Sequence, residues 1–433
     1  MRNPYKTGGW VSGREHYGRH ALLAHILESD NDAVLVIGNR RMGKTSLLRQ
    51  LEYLTADGAT YVPLFWDLQG SETMEDMTNE LLYSVEDEKR RFTSIGVELH
   101  KLYRDQADAP LVLRLLRAML READKRLLLL VDEAEALLNL AETDPRSLAR
   151  LRRVLLSAGG LRVVLTGTKV VSRLNLLTRD WPTSPFLFGF SLRNLTGLDD
   201  ESAAALIRQT QDPVPVQVSD EQVRQIMEAT GNHPYLLQVL CSRLFLESGE
   251  LKPLQPEDLY LDSTLADYFD NDYRWLSPGE RQVLLSIVAG HRDVAAISQD
   301  TGLPPAAVQD FVYSQERLGK LRITPQGLAP ANEFLRRWLE QNYEQLLEQA
   351  HASDVPDDAT QQMINAGREE ERRYVTEMLR IQRTNLRELE LQRAAYGVRV
   401  PVDLINDINR TKAEIERLEE RLDFITSGAQ TDA

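Results

Sequence analysis

Five apolar residues in a row, Ala33-Val34-Leu35-Val36-Ile37, run without a break into Gly38-Asn39-Arg40-Arg41-Met42-Gly43-Lys44-Thr45. Nothing else in the chain restricts its fold as much. A short unbroken apolar run ending in glycine marks a strand buried on both faces, as in the middle of a parallel sheet. The residues after it fit the spacing G-x-x-x-x-G-K-[ST], and Ser46–Leu54 has the pattern of an amphipathic helix, so the motif lies between strand and helix as it must. Glycines let the backbone curl with its N–H groups converging on an anion, and the helix end adds its dipole. Gly38, Asn39, Arg40, Arg41, Met42, Gly43, Lys44, Thr45 and Ser46 are therefore expected to cradle the phosphates of ATP or ADP. Lys44 would reach the β- and γ-phosphates and act in catalysis, and the Thr45 hydroxyl would be a Mg²⁺ ligand.

Further short strands are predicted at Tyr61–Trp66, Leu127–Val131, Leu161–Leu165 and Phe186–Phe190, with helices at Met74–Glu86, Ala109–Ala123 and Ser147–Ser157. This alternation predicts an α/β fold, a parallel sheet with helices on both faces. The strand Leu127–Val131 ends in Asp132-Glu133. One carboxylate at such a tip can hold Mg²⁺ and the next can polarise an attacking water. Asp132 is assigned to the metal and Glu133 to the general base, with Glu135 a competitor. The following strand ends in Leu165-Thr166-Gly167-Thr168. There Thr166, with Thr168 as the alternative, would sense the γ-phosphate or the water, and a threonine capping the next turn is the competing reading.

After about Leu195 the strand signals stop and helical patterns follow. The expected organisation is an N-terminal segment over residues 1–30, a core over 31–195, a helical lid over 196–262 and a winged-helix domain over 263–345. A linker over 346–367 and a helical hairpin over 368–428 complete it. Val375, Leu379, Leu386 and Leu389, then Ile408, Ile415, Leu418, Leu422 and Ile425, carry the hairpin's heptad spacing, with Gly397–Pro401 as its turn. No run of apolar residues is long enough to cross a bilayer and the N-terminus lacks a secretory pattern, so no membrane partner is expected. Cys241 is the only cysteine, which excludes an internal disulfide and fits a cytoplasmic location. The net charge of −15 argues against a protein that coats nucleic acid.

Three stretches together carry a family resemblance: Asn3-Pro4-Tyr5 with Gly8 and Val11, Tyr17-Gly18-Arg19 with Leu22-Leu23, and the double arginine of Arg40-Arg41-Met42-Gly43-Lys44-Thr45-Ser46-Leu47-Leu48. They resemble the STAND class of AAA+-related ATPases, in its archaeal-type ATPase branch. Over residues 3–345 the resemblance implies a P-loop core, a helical lid and a winged helix. It also implies that Tyr17 and Arg19 lie beside the adenine. Gly231-Asn232-His233-Pro234-Tyr235 resembles the lid motif whose proline, here Pro234, packs near the base. Many AAA+ machines place a lid arginine at this point; Arg243, a few residues on, is the candidate to compensate. Arg173, Arg179 and Arg193 follow the sensor strand, and no arginine finger can be chosen among them.

Members of this class are usually switches that open and oligomerise with ATP to control an effector, here expected in a prokaryotic defence or conflict system. The expected partners are further copies of the chain and a separately encoded effector recruited by the C-terminal hairpin. The alternative is a DNA-associated AAA+ ATPase of the origin-recognition or transposition-regulating type. Against it, the candidate recognition helix Pro304–Leu318 carries Asp310 and Glu316, with only Arg317 and nearby Lys320 as cations. DNA is thus the less favoured partner.

Overall fold

The computed structural model describes residues 2–58, 60–103, 107–157, 159–182, 184–350, 357–396 and 402–427. Five parallel strands form the main sheet: β1 (Ala33–Ile37), β2 (Tyr61–Asp67), β3 (Arg126–Asp132), β4 (Leu161–Gly167) and β5 (Ser191–Asn194). Their order is β2-β3-β4-β1-β5. Strand periodicity sends Leu35 and Ile37 to one face and Val34 and Val36 to the other, each into its own apolar layer. Helices Met74–Asp87, Ala109–Glu122 and Pro145–Leu155 cover the first face, and His20–Glu28 and Lys44–Thr55 the second. The α/β reading holds.

The strand expected at Phe186–Phe190 is a turn, and β5 begins after it. The apolar run is only half buried, with Phe188 68% exposed. Phe186 is fully buried, its amide donates to the Thr178 hydroxyl at 2.8 Å, and Gly189 has φ +107°, which breaks an extended path.

Helices Asp200–Arg208, Asp220–Thr230 and Pro234–Leu244 follow the sheet, and Tyr5 and Tyr17 from the N-terminus pack into their core. Next come Ser263–Arg274, Pro278–Val288, Val294–Thr301 and Pro305–Arg317, then an antiparallel ribbon, β6 (Leu321–Thr324) with β7 (Gly327–Pro330). Two long helices, Asp357–Tyr396 and Val402–Ser427, pack on each other as a pair. The first begins at Asp357, so the second half of the stretch expected as linker is helix. The expected Gly397–Pro401 turn lies outside the described residues. Among the described residues no helix is long and apolar enough to cross a membrane.

Candidate nucleotide site

The sheet order decides what meets at its C-terminal edge. β4 lies between β1, which carries the phosphate loop, and β3, which ends in Asp132. The loop is anchored from below by Gly38 N–H donating to Gly167 O at 3.0 Å. Gly43 turns it into the helix at φ +93°, a conformation that favours glycine. Lys44 is buried and its Nζ donates to Gly38 O at 3.1 Å and Asn39 O at 3.2 Å, so the ammonium rests on the loop's own carbonyls. Across the gap, the Thr45 hydroxyl donates to Asp132 Oδ2 at 2.5 Å.

Thr166, on the intervening strand, is fully buried and donates to the other oxygen of Asp132, which also accepts Glu133 N–H at 3.1 Å. It thus orients the Asp132 carboxylate, and it does not line the cavity beside the phosphate loop. Glu133 does line it. Its φ of +54° turns the chain sharply at the strand tip. Burial, and then the neighbouring Glu135, push its carboxyl above the ordinary glutamate range, while Lys44 and Arg40 pull the other way. Glu135 is occupied: it accepts the Thr168 amide and so ties the end of β4 to the turn after β3. Its other oxygen is buried without a hydrogen-bond partner among the described residues, and of the two glutamates only Glu133 lines the cavity.

The cavity measures about 500 Å³, within the usual range for small-molecule sites. Lys44, Thr45 and Ser46 floor it, and Arg40, Arg41, Met42 and Gly43 border it. Tyr17, Arg19 and Pro234 line it too. The buried Tyr17 hydroxyl accepts the Gln211 amide at 3.3 Å, which ties this wall to the helical domain. Arg19 donates to Gly197 O at 3.0 Å and to Thr196 O, at the joint between sheet and helical domain. Pro234 opens the helix Pro234–Leu244, a position where its missing N–H costs nothing. Sequence reasoning missed Trp10, Tyr235 and Gln238 on the same wall.

Three further residues expected at the site, Gly38, Asn39 and the buried Asp132, do not line the cavity. Gly38 lies beneath the loop, and the Asn39 side chain donates to Leu318 O at 2.6 Å, at the end of Pro305–Arg317. Met42 buries its side chain in the core and joins the cavity only at its edge. Arg243 is held by Asp258 O, Tyr260 O and Asp262, with Asp262 Oδ2 at 2.7 Å, and does not reach the cavity. Arg193 meets His25 Nε2 at 2.8 Å and borders a separate cleft of about 1250 Å³.

Residues 27–174 match the family model described as an AAA domain. The core is a P-loop ATPase domain of the AAA type. Its fold is shared with a Walker-type ATPase of Pyrococcus abyssi, at TM-score 0.58 and 17% identity, over 77% of this chain and 99% of that one. The ORC2 protein of Aeropyrum pernix, solved as ADPNP-ADP complexes, aligns over 77% of this chain and 93% of its own, at 14% identity and TM-score 0.46. For Cdc6p of Pyrobaculum aerophilum the shares are 73% and 87%, the identity 16% and the TM-score 0.35. A comparison with curated proteins gives no match. The AAA domain so matched covers the phosphate loop, Asp132, Glu133 and Thr166, while the cavity wall from the helices after the sheet lies beyond it.

Proposed function

We propose that the chain is an ATP-hydrolysing switch of the STAND kind, whose domain arrangement depends on the bound nucleotide. One observation carries this: Lys44, Thr45 and Glu133 share a cavity with Pro234 and Tyr235 of the helical domain, so a nucleotide there touches both. Asp132 and Thr45 supply the carboxylate and hydroxyl oxygens that suit Mg²⁺, which takes few protein ligands and completes its shell with phosphates and water. When bound, Mg²⁺ would neutralise charge on the phosphates. Lys44 would leave its carbonyls for the phosphates, Thr166 holds Asp132 in register, and Glu133 accepts a proton from water. Two further ties support a coupled switch. Asn39 bonds to Leu318, and Lys169, just past β4, pairs with Glu280 in a buried contact at the start of Pro278–Val288. A population shift needs a ligand that contacts the two arrangements unequally. These ties join the phosphate loop and sensor strand to the domain that would move.

The three helices and ribbon over 278–330 read best as a winged helix, and the C-terminal helix pair as a module that recruits an effector or another copy. The DNA-associated reading is weaker. Asp310 pairs with Arg368 at 2.6 Å and Glu316 with Arg421 at 3.0 Å, so the candidate recognition helix lies under the helix pair. Size-exclusion chromatography with light scattering tests the switch, run in ADP and in a non-hydrolysable ATP analogue. A nucleotide-dependent mass in wild type, and a Lys44→Ala variant that binds neither nucleotide, are expected. A constant mass in both nucleotides, with a salt-sensitive DNA complex, overturns it in favour of DNA.

A further inference from the structure

The helical domain brings no arginine to the cavity. Arg243, the one cation near the right place in sequence, is held by Asp258, Tyr260 and Asp262. The lid's contribution beside Pro234 is an aromatic ring. Tyr235 lines the cavity, and the Arg41 guanidinium of the phosphate loop lies over that ring, its Cζ 4.5 Å from the centroid. Such a stack spends the face of the guanidinium and leaves its N–H edge free to meet oxygen. Arg41 makes no hydrogen bond or ion pair among the described residues, so its donors are unspent. Its backbone is also unusual, with φ +57° in a non-glycine residue. An outlier of this kind persists only where the surroundings hold it, and such outliers gather at functional sites.

The ring is itself held. Tyr235 packs edge-on against Tyr268 at 5.8 Å, and the Tyr268 hydroxyl meets His233 Nε2 at 3.1 Å. Tyr268 in turn lies 4.8 Å from Phe269, which packs on Trp338 at 6.1 Å. A contiguous row of rings thus runs from the phosphate loop, through the helical domain, to the helix Glu333–Gln341. The other half of the double arginine, Arg40, also lines the cavity, and of the two only Arg41 lies over the ring.

We propose that Arg41 and Tyr235 together form the element that senses the third phosphate and reports it to the lid, the cation supplied by the phosphate loop and the receiving surface by the lid. The proposal rests on the nucleotide reading above. The guanidinium edge binds the terminal phosphate while its face stays on Tyr235, so a triphosphate draws loop and lid together and a diphosphate does not. Arg41 and Tyr235 are then residues that set triphosphate preference, and the lid needs no arginine of its own.

The test is a double-mutant cycle on the full chain, reading the affinity ratio between a non-hydrolysable ATP analogue and ADP by calorimetry. Arg41→Ala and Tyr235→Leu should each lower that ratio about three- to five-fold, the size of a partly exposed cation–π contact. The double variant should fall no further, and Tyr235→Phe should restore the ratio. Triphosphate-dependent protection of Pro234–Leu244 in hydrogen exchange should vanish in Arg41→Ala. Arg41 is exposed, so this arm decides even where Tyr235→Leu does not fold. An unchanged ratio in Arg41→Ala, or losses that add in the double variant, overturns the proposal while leaving nucleotide binding intact. Wild type that binds neither nucleotide overturns both.

Discussion

Glu133, the base in the proposed reading, stands at the turn after a buried strand, with the neighbouring Asp132 fixed by Thr45 and Thr166. Glu133→Gln is expected to slow hydrolysis by about 10²–10⁴-fold, the usual size of a lost general base, and to leave nucleotide affinity within a few-fold. A single-turnover assay beside a binding titration separates the two, and equal losses in both would rule out the assigned role. Because burial and Glu135 raise the Glu133 carboxyl, its proton-accepting form disappears at a higher pH than for an ordinary glutamate. The acid limb of the pH–rate profile should therefore sit high, and Glu135→Gln, which removes a negative neighbour, should move it down. Thr166→Val should lower the rate through Asp132 alone, with Mg²⁺ dependence shifted to higher concentration; an unchanged Mg²⁺ titration contradicts the orienting role. The residue types of the phosphate loop and of the Asp-Glu tip were legible because the motif prescribes them. The Asn39 contact was not, since its partner lies 279 positions away, and no local pattern records that distance. What distinguishes Glu133 from Glu135 was closed to sequence for the same reason: one lines the cavity, and the other reaches the Thr168 amide 33 positions away.

Among elements, strands and helices with a strong apolar period were readable to within a residue or two: β1, Ala109–Glu122 and Pro305–Arg317 are examples. Phe186–Phe190 misled because its apolar residues do not share one environment: Phe186 and Leu187 are buried in a turn while Phe188 is 68% exposed. The start of the helix at Asp357 was hidden because Asp357-Asp358-Ala359-Thr360-Gln361-Gln362 has no apolar repeat to reveal it. The acid residues that made Pro305–Arg317 look unsuited to DNA have partners on the long helices. Glu371, buried, accepts from Tyr313 at 2.8 Å, Arg317 at 2.9 Å and Arg421 at 2.8 Å. Arg421→Ala leaves that carboxylate with two donors and frees Glu316, so the pair of helices should loosen from the domain by about 2 kcal/mol. Hydrogen exchange should report it as lost protection confined to residues 305–317 and 364–379, with β1 unaffected; uniform loss across the sheet would mean a general folding defect instead.

At the scale of the molecule, His16 and His233 are buried and kept neutral, burial lowering each to about 4. The unfolded chain takes up these protons below pH 6.5 and the folded chain does not until about pH 4. Stability contributed by the neutral forms is therefore full above pH 6.5 and lost as the pH falls through that window, by at most about 3 kcal/mol for each group. Thermal melts at pH 7 and pH 4.5 should show the drop, reduced in His233→Asn. If that variant's melts fell as steeply as wild type, His233 would have no part in the acid sensitivity.

The place of β5 has a practical consequence for anyone shortening the chain. The stretch matched as an AAA domain stops at residue 174, but β1 is hydrogen-bonded on one side to β4 and on the other to Ser191–Asn194. A fragment cut at that limit would leave the strand before the phosphate loop as a bare, wholly apolar edge, the kind of surface on which separate chains add to one another. Such a truncation is expected to precipitate rather than yield a minimal enzyme, and the shortest useful piece must run at least to Leu195.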